Sequence, residues 1–352
     1  MDLFGMTGNA LFEWARERGA TAGAARTLAR FLLAQSAGRP APAAPARHLL
    51  EALGDKAVLP DADVAESNDG TVRFAVRLAD GELVETVLIH QPASELRARE
   101  RWTVCLSSQA GCARGCVFCE TGRLGLARNL TAAEIVAQYA VAARHLGARP
   151  ANVVFMGMGE PLDNLEEVLQ AIAVLREPAG FAVPERRITV STVGIVPRMD
   201  ELFARTKARV AVSLHAVDPD QRRALLPVAR KWSLRQLRDC IARAPRSVLL
   251  QWTLIAGVND ADSDADALAR FCEGLAVRVN LIPLNPGPVP GQVAPSMDRC
   301  RAFQRRLSGH GVRALLRMPH GQQVGGACGQ LAGVRRPLRK GAPQADSSAP
   351  VS

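Results

Sequence analysis

The sequence predicts an α/β protein: a full or partial (β/α) barrel, preceded by a small N-terminal helical domain and a β-hairpin extension. Three observations carry this. From Ala132 onward, short apolar runs alternate with segments of helical length and periodicity, the signature of βαβ units around a parallel sheet. The intervening helices are long enough to cross over between parallel strands. No Gly-x-Gly-x-x-Gly opens a helix after a strand, which argues against a doubly wound nucleotide-binding sheet. At 352 residues the chain can form one large domain and one small one.

Taken in order, the stretch from Leu11 to about Ser36 reads as two short helices broken near Gly19, with Ala25, Leu28, Ala29 and Leu32 at helical spacing in the second. Ser36 to Arg47 is a Pro/Ala linker that cannot continue a helix. A short helical pattern resumes from His48 to Leu53, so residues 1–70 form a helical accessory domain. Residues 71–100 then alternate apolar and polar side chains around Asp80-Gly81, a strong hairpin signal. A two-residue turn there pairs Leu78 with Leu83, Val76 with Glu85 and Phe74 with Val87. Glu85 thus falls on an apolar face, with Arg73 and Arg77 on the other, and becomes a candidate base. The register shifted by one, which the apolar Val84 and Leu88 also allow, would expose it instead.

The predicted barrel core spans residues 101–334. Its helices are Ala132–Leu146, Leu165–Arg176, Pro197–Thr206, Trp232–Ala244, Asp262–Leu275 and Met297–Ser308. Its strands are Asn152–Met156, Arg187–Ser191, Arg209–Leu214, Val248–Ile255, Val277–Ile282 and Val312–Arg317. The tail, 335–352, is basic and then rich in Pro, Ser and Ala, a disordered composition.

Composition narrows the function. The net charge of +10 favours a polyanionic partner, nucleic acid before membrane. Arginine supplies nearly all of it, since Lys56, Lys207, Lys231 and Lys340 are the only lysines. No apolar run approaches the ~18 residues a membrane span needs, and no signal-peptide pattern opens the chain. A cytoplasmic location is therefore expected. Eight cysteines in that setting suggest metal ligation or redox chemistry, not a disulfide framework.

The segment Trp102–Thr121, WTVCLSSQAGCARGCVFCET, concentrates that chemistry. Cys112, Cys116 and Cys119 are spaced C-x3-C-x2-C, and Cys105 lies seven residues upstream. Thiolates hold iron–sulfur clusters, and three on one loop leave one iron of a cubic cluster open. A structural zinc site would use four closed ligands. Further polar groups sit at predicted strand ends, where α/β folds gather their chemistry. These are Gly159 and Glu160 in Gly157-Met158-Gly159-Glu160-Pro161, then Ser191-Thr192, Ser213-Leu214-His215 and Asn285. Each alone could be a cap; together they suggest a pocket. Cys328, flanked by glycines, reads as exposed and reactive, whereas Cys240, Cys272 and Cys300 fall in helical patterns and read as core.

The cysteine motif, with Phe118 before its last member, resembles the radical S-adenosylmethionine superfamily, whose fold is a partial or full (β/α) barrel. CLSSQAGCARGCVFCETG, GMGEPLDN, ITVSTVGIVP, VSLHA, NLIPLNP and ACGQLAG occur in the order found in dual-specificity RNA methyltransferases, the RlmN/Cfr family. The resemblance runs from about Gly81 to Gly333. It implies one [4Fe-4S] cluster on Cys112, Cys116 and Cys119, with S-adenosylmethionine chelating the open iron. Gly159, Glu160, Ser191, Ser213, Leu214, His215 and Asn285 match the positions around that cofactor. Cys328 matches the cysteine that is methylated, Cys105 the one that resolves the product through a transient disulfide, and Glu85 the proton acceptor. The implied reaction consumes two S-adenosylmethionines and methylates an adenine ring carbon, C2 or C8, in ribosomal or transfer RNA. An electron donor such as a flavodoxin or ferredoxin and a monomeric state are also implied.

Two segments depart from the family. Where it shows an arginine-glycine-acidic-isoleucine run before the reactive cysteine, this chain has Pro319-His320-Gly321-Gln322-Gln323-Val324-Gly325-Gly326. The link between hairpin and Cys105, HQPASELRARERW, is longer. Two other readings stand beside the methyltransferase: a radical enzyme acting on a small molecule or peptide, which has no need of Cys105, Cys328 or Glu85, and a non-enzymatic RNA-binding module with a metal site.

Overall fold

The computed structural model describes residues 3–36, 45, 47–52, 59–93, 98–178, 180–287 and 290–331. Most of the Pro/Ala linker and the whole tail from Arg335 lie outside the described residues. The chain opens with helices α1 (Gly8–Glu17), α2 (Ala22–Ser36) and α3 (Arg47–Glu51). Thr7 caps α1 by accepting from the Ala10 N–H, and Gly19, at φ +79, turns the chain between α1 and α2. Leu11, Trp14, Ala25, Leu28 and Leu49 bury together in a small core of their own.

Four antiparallel strands follow: β1 (Ala62–Glu66), β2 (Val72–Arg77), β3 (Leu83–Gln91) and β4 (Arg101–Cys105). β1 was not expected; it lies in the stretch read as helical and adds an edge strand to the hairpin. The hairpin register also differs from expectation. Val76 faces Val84, Ala75 faces Glu85 and Arg73 faces Val87. The cause is the turn. The Gly81 N–H bonds to the Leu78 carbonyl, the Leu78 N–H bonds to the Glu82 carbonyl, and Gly81 sits at φ +84. This is a three-residue loop closed by a glycine bulge, not a two-residue turn, so the pairing shifts by one.

A second unexpected feature is a two-stranded ribbon, β5 (Gln109–Cys112) with β6 (Gly125–Asn129), enclosing the short helix α4 (Glu120–Leu124). The core then alternates as the sequence predicts: α5 (Ala132–Leu146), β7 (Asn152–Phe155), α6 (Leu165–Leu175), β8 (Ile188–Thr192), α7 (Val196–Arg205) and β9 (Arg209–Ser213). It continues with α8 (Pro219–Leu225), which the sequence reading passed over, α9 (Leu234–Ala242), β10 (Val248–Leu254), α10 (Asp262–Cys272), β11 (Val277–Pro283), α11 (Met297–Gly309) and β12 (Ala314–Leu316). Thr131 and Glu134 close a capping box on α5, and Gly147 ends that helix in the left-handed region.

All strands but β5 and β6 join one open sheet, ordered β1-β2-β3-β4-β7-β8-β9-β10-β11-β12. From β4 onward every pairing is parallel. The fold is therefore α/β with a large, mostly parallel sheet. Parallel strands need apolar cover, and Val153, Phe155, Val190, Val212, Leu250 and Leu281 are buried among the helices. Cys240, Cys272 and Cys300 are buried in α9, α10 and α11, as core residues.

Candidate active site

The carboxyl ends of five parallel strands and the cysteine loop close around one pocket. Cys112, Cys116 and Cys119 line it, as do Gly159, Glu160, Ser191, Ser213, His215, Asn285 and Cys328. Leu214 does not; its side chain is fully buried and its N–H donates to the Gln251 carbonyl. Glu85 and Cys105 also lie outside the pocket lining.

Backbone geometry builds the floor. Gly159 has φ +99, and a Cβ there would lie 2.6 Å from the Gln109 Cβ. A Cβ at Gly157 would lie 2.7 Å from the Ser107 hydroxyl. Glycine alone lets this loop press against Leu106–Gln109. The Ser108 N–H bonds to the Met158 carbonyl, and the Met158 N–H to Ser107 Oγ at 2.8 Å, tying the β7 end to the start of the cysteine loop.

Glu160 is buried and held at both oxygens, by the Leu162 N–H (3.0 Å) and the Val193 N–H (2.9 Å). Burial pushes its carboxyl up to about 7, against the pull of those two bonds. His215 has φ +57 and its Nδ1 accepts from the Thr253 N–H at 2.9 Å. Burial, then the charge of Arg222, pull it down to about 3. The ring is therefore neutral, with its proton on Nε2. Phe118 stands edge-on to it at 4.8 Å. Ser191 and Ser213 share one acceptor, Gln251 Oε1, at 3.1 and 3.4 Å.

Gln251 and Arg114 were missed by sequence reasoning. Gln251 is the one amide in the otherwise apolar run Val248-Leu-Leu-Gln-Trp-Thr-Leu254, and that break in pattern was the available signal. Arg114 lines the pocket and pairs with both Asp163 oxygens through Nε and Nη2, the Nε contact at 2.6 Å. Nothing in the spacing of these two residues betrays their contact.

The three cysteine thiols crowd one another. Burial, and then neighbouring charges that include Cys119, push Cys112 up to about 12. Burial and the charges of Cys119 and Cys112 raise Cys116 well above its ordinary value. Burial raises Cys119. Among the described residues no set of His, Cys, Asp or Glu converges on a single metal ion. Ligands of a cubic cluster bind separate irons and need no such convergence.

A second assembly lies beside the pocket. Arg73, Val87 and Cys105 face one another in register across β2, β3 and β4, so they share a face of the sheet. Glu85, two residues from Val87, shares it too. Its carboxylate pairs with Arg73 Nη1 at 2.5 Å and is fully buried, which corrects the expected apolar setting: the shifted register brings Arg73 to its side. The loop before Cys328 crosses this face. A Cβ at Gly326 would touch Val87 at 3.4 Å, and one at Gly325 would approach Arg73 at 3.8 Å. Cys328 as a residue is exposed, but protein crowds its thiol; lost solvation, then the charge of Cys119, push it up. Cys105 is buried and raised by that burial and by the charge of Cys328. The structure thus gathers Glu85, Cys105 and Cys328 at one edge of the cysteine pocket.

Hydrogen bonds tie the segment 319–326 to this arrangement. The Asn285 amide donates to the Cys328 carbonyl at 3.0 Å and accepts from Gln322 at 2.8 Å. Asp69 accepts from the Gly321 N–H at 2.9 Å. Burial would raise the Asp69 carboxyl, but backbone donors at Gly321 and Thr71 prevail and hold it at about 2.

The chain is similar to known proteins in sequence and in fold. The Radical SAM superfamily model matches residues 106–272. The "Probable RNA methyltransferase sce1580" of Sorangium cellulosum is 47% identical over 93% of this chain and 86% of its own length. The dual-specificity RNA methyltransferase RlmN of Desulfotalea psychrophila is 41% identical over 77% of each chain. A crystal structure of a radical SAM methyltransferase from Sphaerobacter thermophilus superposes with a TM-score of 0.86 and 37% identity, covering 95% of this chain and 99% of that one.

Proposed function

The chain belongs to the RlmN family of RNA methyltransferases within the radical SAM superfamily, and we propose that it methylates C2 of an adenine in ribosomal or transfer RNA through a methylated Cys328. It is thus an S-adenosylmethionine-dependent enzyme whose family carries a [4Fe-4S] cluster. The observation that carries the finer reading is the crossing of the Cys328 loop over the sheet face of Glu85 and Cys105, beside the three-cysteine pocket. A radical enzyme acting on a small molecule would have no use for that second assembly.

The residues fit such a cluster and S-adenosylmethionine. Lost solvation raises all three thiols gathered at this pocket, and neighbouring cysteine charges raise Cys112 and Cys116 further, so they become thiolates only with a cation to bind, as an iron cluster provides. Cys112, Cys116 and Cys119 would hold the cluster. Glu160, Ser191, Ser213, His215 and Asn285, with the backbone at Gly159, would hold S-adenosylmethionine, and the backbone of Leu214 is already engaged by Gln251 and Arg222. When bound, these groups supply the electron, the methyl group and the hydrogen-abstracting radical, at two S-adenosylmethionines per turnover.

The protein's own steps follow from the chemistry of adenine. Its C2 is electron-poor and has no lone pair, so it cannot take a methyl cation directly. Cys328, as thiolate, accepts the methyl group first and becomes S-methylcysteine. Once the S-methyl group has given up one hydrogen atom to the radical, that carbon bonds to C2 while still attached to the Cys328 sulfur. Glu85 accepts the ring proton, and Cys105 as thiolate attacks the Cys328 sulfur, so that the disulfide forms as the sulfur–carbon bond breaks; the freed carbon takes up a proton to complete the methyl group, and the one electron left over would return to the bound cluster. A thiol reductant restores both cysteines. Electrons reach the cluster from a flavodoxin- or ferredoxin-type donor, and the protein works as a monomer in the cytoplasm. The described helices include none long and apolar enough to cross a membrane.

Nucleoside mass spectrometry of ribosomal and transfer RNA from a deletion strain tests the reading. A 2-methyladenosine missing from one RNA and restored by the gene is expected; unchanged modification in both would overturn it. A second prediction concerns Glu160. A raised carboxyl favours the protonated form, so this group weakens the cluster-free fold as pH climbs through about 7. Accepting from the amino group of S-adenosylmethionine favours the ionised carboxylate, so the proton has to leave. Affinity measured by calorimetry should therefore rise about tenfold between about pH 6 and pH 8. Glu160→Gln should bind weakly, with that slope gone.

A further inference from the structure

Arg222, in α8, is 2% exposed, yet its partners are all neutral. Its Nε donates to the Leu214 carbonyl at 3.2 Å, and its Nη2 to the carbonyls of Val193 at 3.0 Å and Ser213 at 3.4 Å. Among the described residues no carboxylate pairs with it; the charge felt most by the guanidinium is that of Cys116. Burial pulls it down to about 10, which leaves it a cation at neutral pH. Three carbonyls accept from three of its five N–H groups but do not neutralise it, and a buried charge without a counterion is costly.

The location explains the cost. The carbonyls it holds end β8 and β9, the strands that bring Ser191, Ser213 and His215 to the pocket. One turn further on, the Leu225 carbonyl accepts from the Val117 N–H, at the centre of the cysteine loop. A Cβ at Gly194 would lie 3.6 Å from Arg222 Nη2, so the chain after β8 passes close beside it. α8 thus fastens the cysteine loop on one side and the cofactor-binding strand ends on the other, with a cation between them.

We propose that Arg222 is the fixed countercharge of the iron–sulfur site: a buried cation beside Cys116 that favours the reduced, more negative cluster. The inference rests on the reading that Cys112, Cys116 and Cys119 hold that cluster. It makes Arg222 a positioning and electrostatic residue, since it does not line the pocket.

The test compares wild type, Arg222→Met and Arg222→Lys after anaerobic cluster reconstitution. Iron and sulfide content are measured, followed by a redox titration monitored by EPR. Arg222→Met should lower the equilibrium constant of one-electron reduction about tenfold, a midpoint about 59 mV more negative. Arg222→Lys, with its charge kept and its carbonyl bonds reduced, should stay near the wild-type potential while unfolding at lower temperature. An unchanged potential in Arg222→Met, or equal shifts in both variants, overturns the countercharge. If Arg222→Met takes up no cluster, Arg222→Lys decides alone: a wild-type potential upholds the inference, and a shifted one refutes it. A wild-type protein that binds no cluster would overturn the cluster assignment itself, and this inference with it.

Discussion

Cys328→Ala should take up its full complement of iron and sulfide and still methylate RNA at less than about 10⁻⁴ of the wild-type rate. The expectation follows from the order of bonds. Without the Cys328 sulfur no side chain at this edge of the pocket can carry the methyl carbon to the base. Cys105 is the nearest candidate, but it is buried at the end of β4 and does not line the pocket. The partner variant separates the two thiols. Cys105→Ala retains the methyl carrier and the base, so the carbon should join the RNA and then stay on Cys328. Denaturing gels and mass spectrometry should show a covalent RNA–protein adduct through Cys328, absent from the Cys328→Ala protein. Methylation that persists in Cys328→Ala would disprove the covalent route, whatever Cys105→Ala does.

That prediction draws on features the sequence made legible to different degrees. Every α/β element from Ala132 onward was legible except α8, because alternating apolar runs and amphipathic helices repeat without interruption. The short α8 follows His215 at once, and Pro219 and Pro227 bracket it, so it never completes a helical period long enough to read. Apart from Arg114 and Gln251, the pocket residues discussed above were legible as motifs, and the parallel sheet explains their convergence: strand ends point one way. The Glu85 hairpin was half legible. Its existence followed from alternation, but its register depended on a glycine bulge that adds one residue to the turn. Contacts such as Arg73 with Glu85, Arg114 with Asp163 and Arg222 with three strand-end carbonyls are set by packing and leave no trace in spacing.

The clasp formed by 319–326 bears on substrate access. Gln322 and the Cys328 carbonyl occupy both ends of the Asn285 amide, and Gly321 is held by Asp69 from the β1–β2 turn. In the proposed reaction, adenine would reach the methyl carbon between this loop and the face of Glu85. On that reading the segment 319–326 would border the RNA entrance.

Glu85→Gln should reduce overall methylation by about 10²–10⁴-fold, the usual contribution of a positioned base, and leave the first half of the reaction untouched. Glutamine has nearly the shape of glutamate, so β3 should keep its register against β2 and β4. It cannot take up a proton from the ring. Cys328 of the variant should therefore still gain its methyl group, visible as a mass increase of one methyl on the Cys328 peptide, and RNA should still become attached. Release should be the slow step, so the adduct accumulates even with Cys105 present. Arg73 lies 2.5 Å from the carboxylate and helps hold it in the buried sheet face. Arg73→Gln should therefore slow release in the same direction as Glu85→Gln, and by less, since the proton acceptor remains. The double variant should be no slower than Glu85→Gln alone, because both residues act on one step. If Glu85→Gln lost Cys328 methylation as well, or turned over at the wild-type rate, Glu85 would not be the base.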